Sequence, residues 1–495
     1  MGDAQEQKSD AQPMEMGEFE ALMKKSFKPK SDKAKDAITT AVATLAEQAL
    51  AETVKISDDA LKTIESMIAE IDRKLTEQIN LIMHNADFTK LEGTWRGLAH
   101  LVNNTETDEM LRIRVMNISK KDLSKTLKKF KGSSWDQSPI FKKVYEEEYG
   151  TPGGMPYGCL IGDYEFSHGA QDIEILSGMA QVAAAAHSPF ISAADPSLMN
   201  MDSWQELGDP RDLAKVFSTP EYAAWRSLRE SDDSKYLALT MPRFLARTPY
   251  DPKGNPVDEF NFEEDTAGAA HDRFVWANSA YAMGTNITRA FKTYGWTSTI
   301  RGAESGGMVE GLPVHTFPTD DGGQDMKCPT EIAITDRREA ELAACGLMPL
   351  SHWKNTDYAV FVGAQTLNKP AEFDDPDATA NAQLGARLPY LFSSCRFAHY
   401  LKCIVRDKIG SFKERAEVQT WLNNWISKYV LNNVATASDA DKARRPLAGA
   451  EVVVEEVEGN PGYYSAKFFL RPHYQLEGLS VSLRLVSKLP SAKGA

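Results

Sequence analysis

The clearest pattern in the sequence is an apolar residue at every third or fourth position after Ser57. Three- and four-residue steps place side chains on one face of a helix. The stripe is narrow, so it predicts a helix that packs against other helices. Its members are Leu61, Ile64, Ile68, Ile71, Leu75, Ile79 and Ile82.

A shorter pattern of the same kind lies in the N-terminal arm, residues 1–57. Phe19, Leu22, Met23 and Phe27 share one helical face, and Pro29 ends the segment. A helix this short is not stable alone in water. We therefore expect it either to dock on its own subunit or to fold on a partner.

The central region, residues 58–375, alternates short apolar runs with helical stretches. This order predicts an α/β or mixed α+β body. The predicted strands are Leu111–Ile118, Gly158–Gly162 and Tyr358–Gly363, and the predicted helices include Ile173–Ala186 and Arg273–Phe291.

The C-terminal region, residues 376–495, begins within the polar and acidic stretch Asn368–Ala386, which is the best linker candidate. Helices are predicted first and strands last. Strands without enough partners are a hazard in a monomer, so we expect their edges to need neighbours. The segments are helices at Leu388–Ile409 and Lys413–Leu431 and strands at Glu451–Glu458, Tyr464–Leu470 and Leu479–Leu489; the residues in question are Val452, Val454, Val481, Leu483 and Leu485.

Composition narrows the class of protein. The 495 residues carry 56 basic and 70 acidic side chains, a net charge of −14, which argues against nucleic acid as the main partner. The N-terminus lacks the apolar core of a secretory signal, and the longest uncharged stretch, Ile175–Ala194, is too polar to span a membrane. Five cysteines without CxxC spacing indicate free thiols. These features predict a cytoplasmic protein that does not insert into a membrane.

Candidate reactive groups each have a structural alternative that we favour. Ala303–Gly307 is similar to a serine-protease nucleophile loop but has no recognisable His and Asp setting, so we interpret it as a glycine loop. Cys395, His399 and Cys403 share one helical face, and core packing is favoured over metal binding. Asp320–Asp325 lacks the spacing of a calcium loop. We therefore predict no catalytic, cofactor or metal residues.

A charged segment follows Ile332. A short β run is expected to lead into a helix that Asp336 caps, with Glu339 in capping-box position and Gly346 just beyond the C-terminus. The outward charges Arg337, Arg338, Glu339 and Glu341 form either a solvated face or a strip that meets a complementary surface.

Several motifs, in order along residues 87–489, resemble the large sheath subunit of bacterial type VI secretion systems, the TssC/VipB family. Each motif alone is moderately specific, and together they are strong. They are Asp87–Leu98 with its Thr-Trp-Arg-Gly-Leu block, Pro329–Arg338, Leu388–Tyr390 with Arg396–Leu401, Arg406–Phe412, and Phe469–His473 with Leu479–Leu485.

The resemblance implies a structural protein with a contractile tail-sheath-like fold completed by a small partner subunit of the TssB/VipA type. Such pairs stack with further copies as a helical tube in the bacterial cytoplasm. The tube surrounds Hcp-type inner-tube hexamers, sits on a baseplate, and is recycled by a ClpV-type AAA+ unfoldase after contraction.

The resemblance also implies roles for particular residues. The helix carrying Asp336, Arg337, Arg338 and Glu341 is expected to face the inner tube. The apolar face formed by Phe19, Leu22, Met23 and Phe27 is expected to bind the unfoldase, and the C-terminal strands are expected to pair between subunits. A phage or pyocin-like tail sheath is the closest alternative, and an enzyme with an unrecognised site is a remote one.

Overall fold

The fold is taken from a computed structural model, which describes Lys33 and residues 60–209, 212–266, 271–318, 321–408, 414–431, 433–457 and 464–475. Within these ranges the α-helices longer than four residues are α1 (Ala60–Met83), α2 (Ala86–Asn103), α3 (Lys120–Lys129), α4 (Ala170–Ala186), α5 (Ala223–Glu230), α6 (Ser279–Tyr294), α7 (Asp336–Ala344), α8 (Pro376–Gly385), α9 (Leu388–Lys408), α10 (Arg415–Ile426) and α11 (Asp439–Arg444).

A mixed six-stranded sheet forms the centre of the body, in the order β1-β2-β3-β9-β10-β6. The first four strands run parallel, and β10 is antiparallel to both β9 and β6. Two further antiparallel pairs of short strands, β4 with β5 and β7 with β8, accompany it. The strands are β1 (Leu160–Phe166), β2 (Phe190–Ala194), β3 (Leu237–Met241), β4 (Phe244–Leu245), β5 (Trp276–Ala277), β6 (Met308–Val309), β7 (Thr316–Pro318), β8 (Gln324–Met326), β9 (Leu347–His352) and β10 (Ala359–Phe361).

Helices cover both faces of this sheet, which explains why its central strands are continuous apolar runs. Leu237 and Leu239 of β3 pack into the same core cluster as α4. Ala238, between them, points to the opposite face and packs with residues of α6 and α9. The mixed helix and strand content confirms the predicted fold class.

A smaller C-terminal unit packs against the far end of α9. Strands β11 (Leu447–Glu456) and β12 (Tyr464–Pro472) form an antiparallel hairpin. Its inner face contacts α10 around a third apolar cluster that includes Phe397 of α9, Leu422 and Val452. Helix α9 therefore joins the central sheet to the C-terminal hairpin through side chains in both cores.

Two sequence predictions about these elements are wrong. Leu111–Ile118 has no strand partner among the described residues, although it was predicted as a strand. The stretch proposed as a linker contains α8, and its first residue is buried: Asn368 Nδ2 donates to the carbonyls of Arg229 and Ser231. A polar, proline-containing composition did not reveal either the helix or the anchoring asparagine.

Candidate interaction surfaces

The C-terminal hairpin has one closed edge and one open edge. Val452 N–H donates to Asn423 Oδ1 and Asn423 Nδ2 donates to the Val452 carbonyl, both at 3.1 Å. Val454 N–H likewise donates to Gln419 Oε1 at 3.2 Å. Side chains of α10 therefore take the place of a third strand beside β11.

This arrangement corrects the expectation for Val452 and Val454. Their side chains are buried in this subunit's own core, and their backbone groups are already paired. Val481, Leu483 and Leu485, the other strand residues predicted to pair between subunits, lie outside the described residues. Nothing in the local sequence pattern identified Asn423 and Gln419, because an amide on a helix is usually solvated.

The other edge belongs to β12, and no strand among the described residues pairs with it. Val454 lies opposite Ala466 and Val452 lies opposite Phe468 in the antiparallel register. Opposed residues in such a ladder direct their N–H and C=O groups the same way, either both inward or both outward. The backbone N–H groups of Val452 and Val454 point away from β12. The backbone N–H and C=O groups of the opposed residues, Ala466 and Phe468, therefore point away from β11.

Helix α7 carries the charges that were predicted to face a partner, but it presents them differently. Thr335, not Asp336, is the N-cap, and its side chain accepts from the Arg338 N–H. No strand precedes it between Ile332 and Thr335. Gly346 does lie just beyond the C-terminus with φ +83°, as predicted.

Arg337 and Arg338 differ in exposure. The Arg337 side chain is 89 % exposed, whereas that of Arg338 is 17 % exposed and donates to Glu341 and to the Asp209 carbonyl. Hydrogen bonds from Arg337 and Arg338 lower the pKa of Glu341. Glu339 is half-buried and does not point fully outward as expected, and this burial raises its pKa.

The exposed face of α7 combines charges with small residues. Asp336, Arg337, Ala340 and Ala344 are exposed and follow helical spacing, while Leu342 is buried on the opposite side. Alanines beside the charges allow another surface to approach the helix axis closely. Of the predicted residues, Asp336 and Arg337 lie on this face, and Arg338 and Glu341 form its flank.

The residues considered for chemistry lie in packing positions. Cys395 and His399 lie on the buried face of α9, and the His399 Nε2–H donates to the Ala186 carbonyl at 2.8 Å. Gly306 has φ +88°, and a Cβ on Gly307 would overlap Gly302 and the Phe361 carbonyl. These contacts support core packing and a glycine loop as interpretations. All five cysteines are free.

Helix α2 contains the Thr-Trp-Arg-Gly-Leu block and docks on the body through two glycines. A Cβ on Gly93 would overlap the Trp276 carbonyl oxygen, and one on Gly97 would lie 2.5 Å from the Tyr281 ring. Trp95, on the other side, is exposed. The spacing of four between the glycines was a signal for this close contact, and the sequence analysis did not use it.

A buried ion-pair network fastens the same helix to the loop after β4. Arg247 contacts Glu92 at 2.6 Å and Glu264 at 2.5 Å, and all three side chains are largely buried. Burial alone would raise the pKa of Glu92, but Arg247 and Arg96 outweigh it and lower this pKa. Because these residues lie far apart in the sequence, no motif could reveal the network.

The residues predicted to bind the unfoldase fall outside the described residues. Phe19, Leu22, Met23 and Phe27 all lie in the part of the chain that the structure does not describe. Among the residues it does describe, no helix is both long and apolar enough to cross a bilayer.

Family models match both parts of the chain. Residues 65–368 match "EvpB/VC_A0108, tail sheath N-terminal domain", and residues 377–489 match "EvpB/VC_A0108, tail sheath gpW/gp25-like domain". The chain is 70 % identical over 478 residues to the type VI secretion system sheath protein TssC1 of Pseudomonas aeruginosa, covering 97 % of this chain and 96 % of that one.

Solved structures of contractile systems are more distant. The anti-feeding prophage baseplate structure matches at a TM-score of 0.35 and 12 % identity, over 64 % of this chain and 66 % of that chain. The contracted PVC sheath complex matches at 0.33 and 9 %, over 63 % and 68 %. These low scores add no support to the assignment.

The two domain matches and the full-length relative define a structural protein of the contractile tail sheaths. The chain belongs to the EvpB/VipB family, the TssC-type sheath subunits of type VI secretion systems. The family resemblance expected from the motifs is thus confirmed, and it implies a small partner subunit and a helical assembly.

Proposed function

We propose that this chain and a small sheath subunit of the TssB/VipA type form a helical tube in the bacterial cytoplasm. The tube surrounds Hcp-type hexamers, sits on a baseplate, and contracts to propel the inner tube and spike outward. The observation that carries the proposal is the identity of 70 % with TssC1 over nearly the whole chain. Contraction needs no reactive site, because repacking of interfaces can supply its energy.

We propose that residues 58–375 form the body of each subunit and residues 376–495 a C-terminal unit that contributes strands to its neighbours.

The assembly is tested by co-expression with the small subunit and negative-stain microscopy. We expect hollow tubules only when both proteins are present. Deleting Leu479–Ala495 is expected to abolish them, and a normal yield from that truncation would contradict the role of the C-terminus.

An added strand from another subunit would join β12. This follows from the closed edge at β11 and the outward N–H groups of Ala466 and Phe468, since strand addition uses an open edge. Proline at Ala466 removes an outward donor and leaves the hairpin ladder intact, because proline lacks an N–H. We expect Ala466→Pro to remain folded and to form no tubules.

The matched control lies one residue further on. Lys467 is opposite Val453 and directs its N–H toward β11, so Lys467→Pro is expected to break the hairpin itself. Limited proteolysis of β11–β12 separates the two effects. Normal tubules from Ala466→Pro would rule out the β12 edge as an assembly interface.

Helix α7 is proposed to face the inner tube through Asp336, Arg337, Ala340 and Ala344. Support comes from the exposed guanidinium beside small residues, which suits a close, charge-complementary contact. Arg337→Glu is expected to impair sheath assembly around the inner tube while costing the subunit within about 0.5 kcal/mol. Lys125→Glu on α3, also an exposed charge, is the control. Equal assembly by both variants would contradict the proposal.

The N-terminal arm is proposed to hold the binding site of a ClpV-type unfoldase. The support is the apolar face of Phe19, Leu22, Met23 and Phe27 on a segment too short to fold alone, which suits a helix bound in a groove. A peptide covering Glu15–Lys30 should bind the N-terminal domain of the unfoldase. Leu22→Asp should weaken that binding, and unchanged sheath disassembly in this variant would place the site elsewhere.

A further inference from the structure

The segment Leu111–Ile118, between α2 and α3, is extended and pairs with no strand of the described part of the chain. From Arg112 to Asn117, no backbone N–H or C=O makes a hydrogen bond to another described residue. The sequence nevertheless has the alternation and β-branched residues of a strand. The segment therefore has the composition of a strand without a neighbour to complete its ladder.

Contacts at intervals hold this segment in place. The Tyr164 hydroxyl, on β1, donates to the Ile118 carbonyl at 2.8 Å. Arg114 pairs with Glu148 and contacts the Tyr157 hydroxyl at 3.3 Å. Because its position is already fixed, the segment itself would lose little conformational entropy when a strand binds to it.

Its central side chains are apolar and open to solvent. Val115 is 67 % exposed and Met116 is 49 % exposed, and adjacent residues of an extended chain point to opposite faces. A strand exposing apolar groups on both faces is an aggregation hazard in a free subunit. The segment needs a partner that covers it.

We propose that Leu111–Ile118 receives an extended strand of the small sheath subunit, which pairs with its backbone and covers Val115 and Met116. Unpaired N–H and C=O groups along an extended chain are completed by a strand, not by a helix. The inference rests on the proposed pairing with a small subunit.

The small subunit is a better occupant than a second copy of this chain. Strand addition between subunits is already assigned to the β12 edge, so this second unpaired segment is left for the small subunit that the sheath family implies. Arg112 is exposed and has no acidic partner among the described residues, so the incoming strand is expected to place an acidic side chain beside it.

Photo-crosslinking tests which chain lies against the segment. p-Benzoylphenylalanine is placed at position 115 of the full chain, co-expressed with the small subunit, and irradiated in cells. We expect an adduct with the combined mass of the two different proteins. An adduct with a second copy of this chain, or no adduct from assembled tubules, would overturn the proposal.

Two substitutions at the same position give a matched comparison. Val115→Thr keeps a β-branched side chain, whereas Val115→Asp puts a charge at the apolar contact. We expect co-purification of the small subunit to fall at least tenfold for Val115→Asp and less than twofold for Val115→Thr. Equal retention by both variants would exclude this segment while leaving the proposed function intact. Failure of the unsubstituted chain to bind the small subunit would remove both.

Discussion

Asn423 hydrogen-bonds both the N–H and the carbonyl of Val452 and so occupies the place of a neighbouring strand. Buried backbone groups at a sheet edge need such partners, because an unpaired one costs about 1–3 kcal/mol. One helix side chain thus decides which edge of the C-terminal hairpin is closed within the subunit.

Replacing Asn423 with Leu is expected to destabilise the C-terminal unit by about 1–3 kcal/mol, because it leaves the Val452 N–H and carbonyl unpaired. Thermal unfolding of the unassembled complex with the small subunit measures the loss. Asn424→Leu, at the exposed neighbouring position, should change stability far less. Equal losses from both variants would show that the pair of hydrogen bonds contributes little.

Gly93→Ala is expected to destabilise the subunit although alanine favours helices by up to about 1 kcal/mol. Its Cβ would overlap the Trp276 carbonyl oxygen, and backbone cannot move aside cheaply, so overpacking costs about 1–3 kcal/mol. Gly385→Ala, in α8, meets no atom within 4 Å and should be neutral or stabilising. A stable Gly93→Ala variant would mean that α2 packs less tightly than described.

Arg247→Met is expected to cost about 3–5 kcal/mol, because it leaves the buried Glu264 carboxylate without its partner. Arg73, on α1, also lies between two glutamates, Glu70 and Glu77, but in solvent. Arg73→Met should therefore change stability by no more than about 0.5 kcal/mol. Urea unfolding of the two variants compares a buried and an exposed ion pair in one protein.

Acid should destabilise the core around His399. Burial lowers the pKa of this imidazole from 6.5 to about 4, so below pH 6.5 the unfolded chain takes up a proton that the folded chain refuses. The contribution of about 3 kcal/mol is fully present above pH 6.5 and is lost as the pH falls toward about 4.

His399→Gln keeps a donor for the Ala186 carbonyl but cannot titrate, so it isolates this effect. We expect the variant to lose less stability than the unsubstituted chain between pH 7 and pH 4.5. Some dependence should remain, because burial also lowers the pKa of His187. Identical pH profiles would show that His399 does not titrate on unfolding.

Local pattern was sufficient to predict several elements of this protein. The apolar stripe after Ser57 corresponds to α1, Ile173–Ala186 lies within α4, and the alternation at Tyr464–Leu470 lies within β12. These predictions succeed because amphipathic periodicity depends on near neighbours in the sequence. The motifs that resemble sheath subunits likewise needed only the order of residues, and they led to the correct family.

Tertiary structure alone decided which of these elements are completed within the subunit. Leu111–Ile118 has the pattern of a strand but no neighbouring strand within the ranges that the structure describes, and β11 has its outer edge closed by Asn423 and Gln419. Arg337 and Arg338 are adjacent and identical in type, yet one is exposed and the other is held against Asp209. Pairing, burial and ion-pair partners depend on residues far away in the chain, so no local pattern contains them.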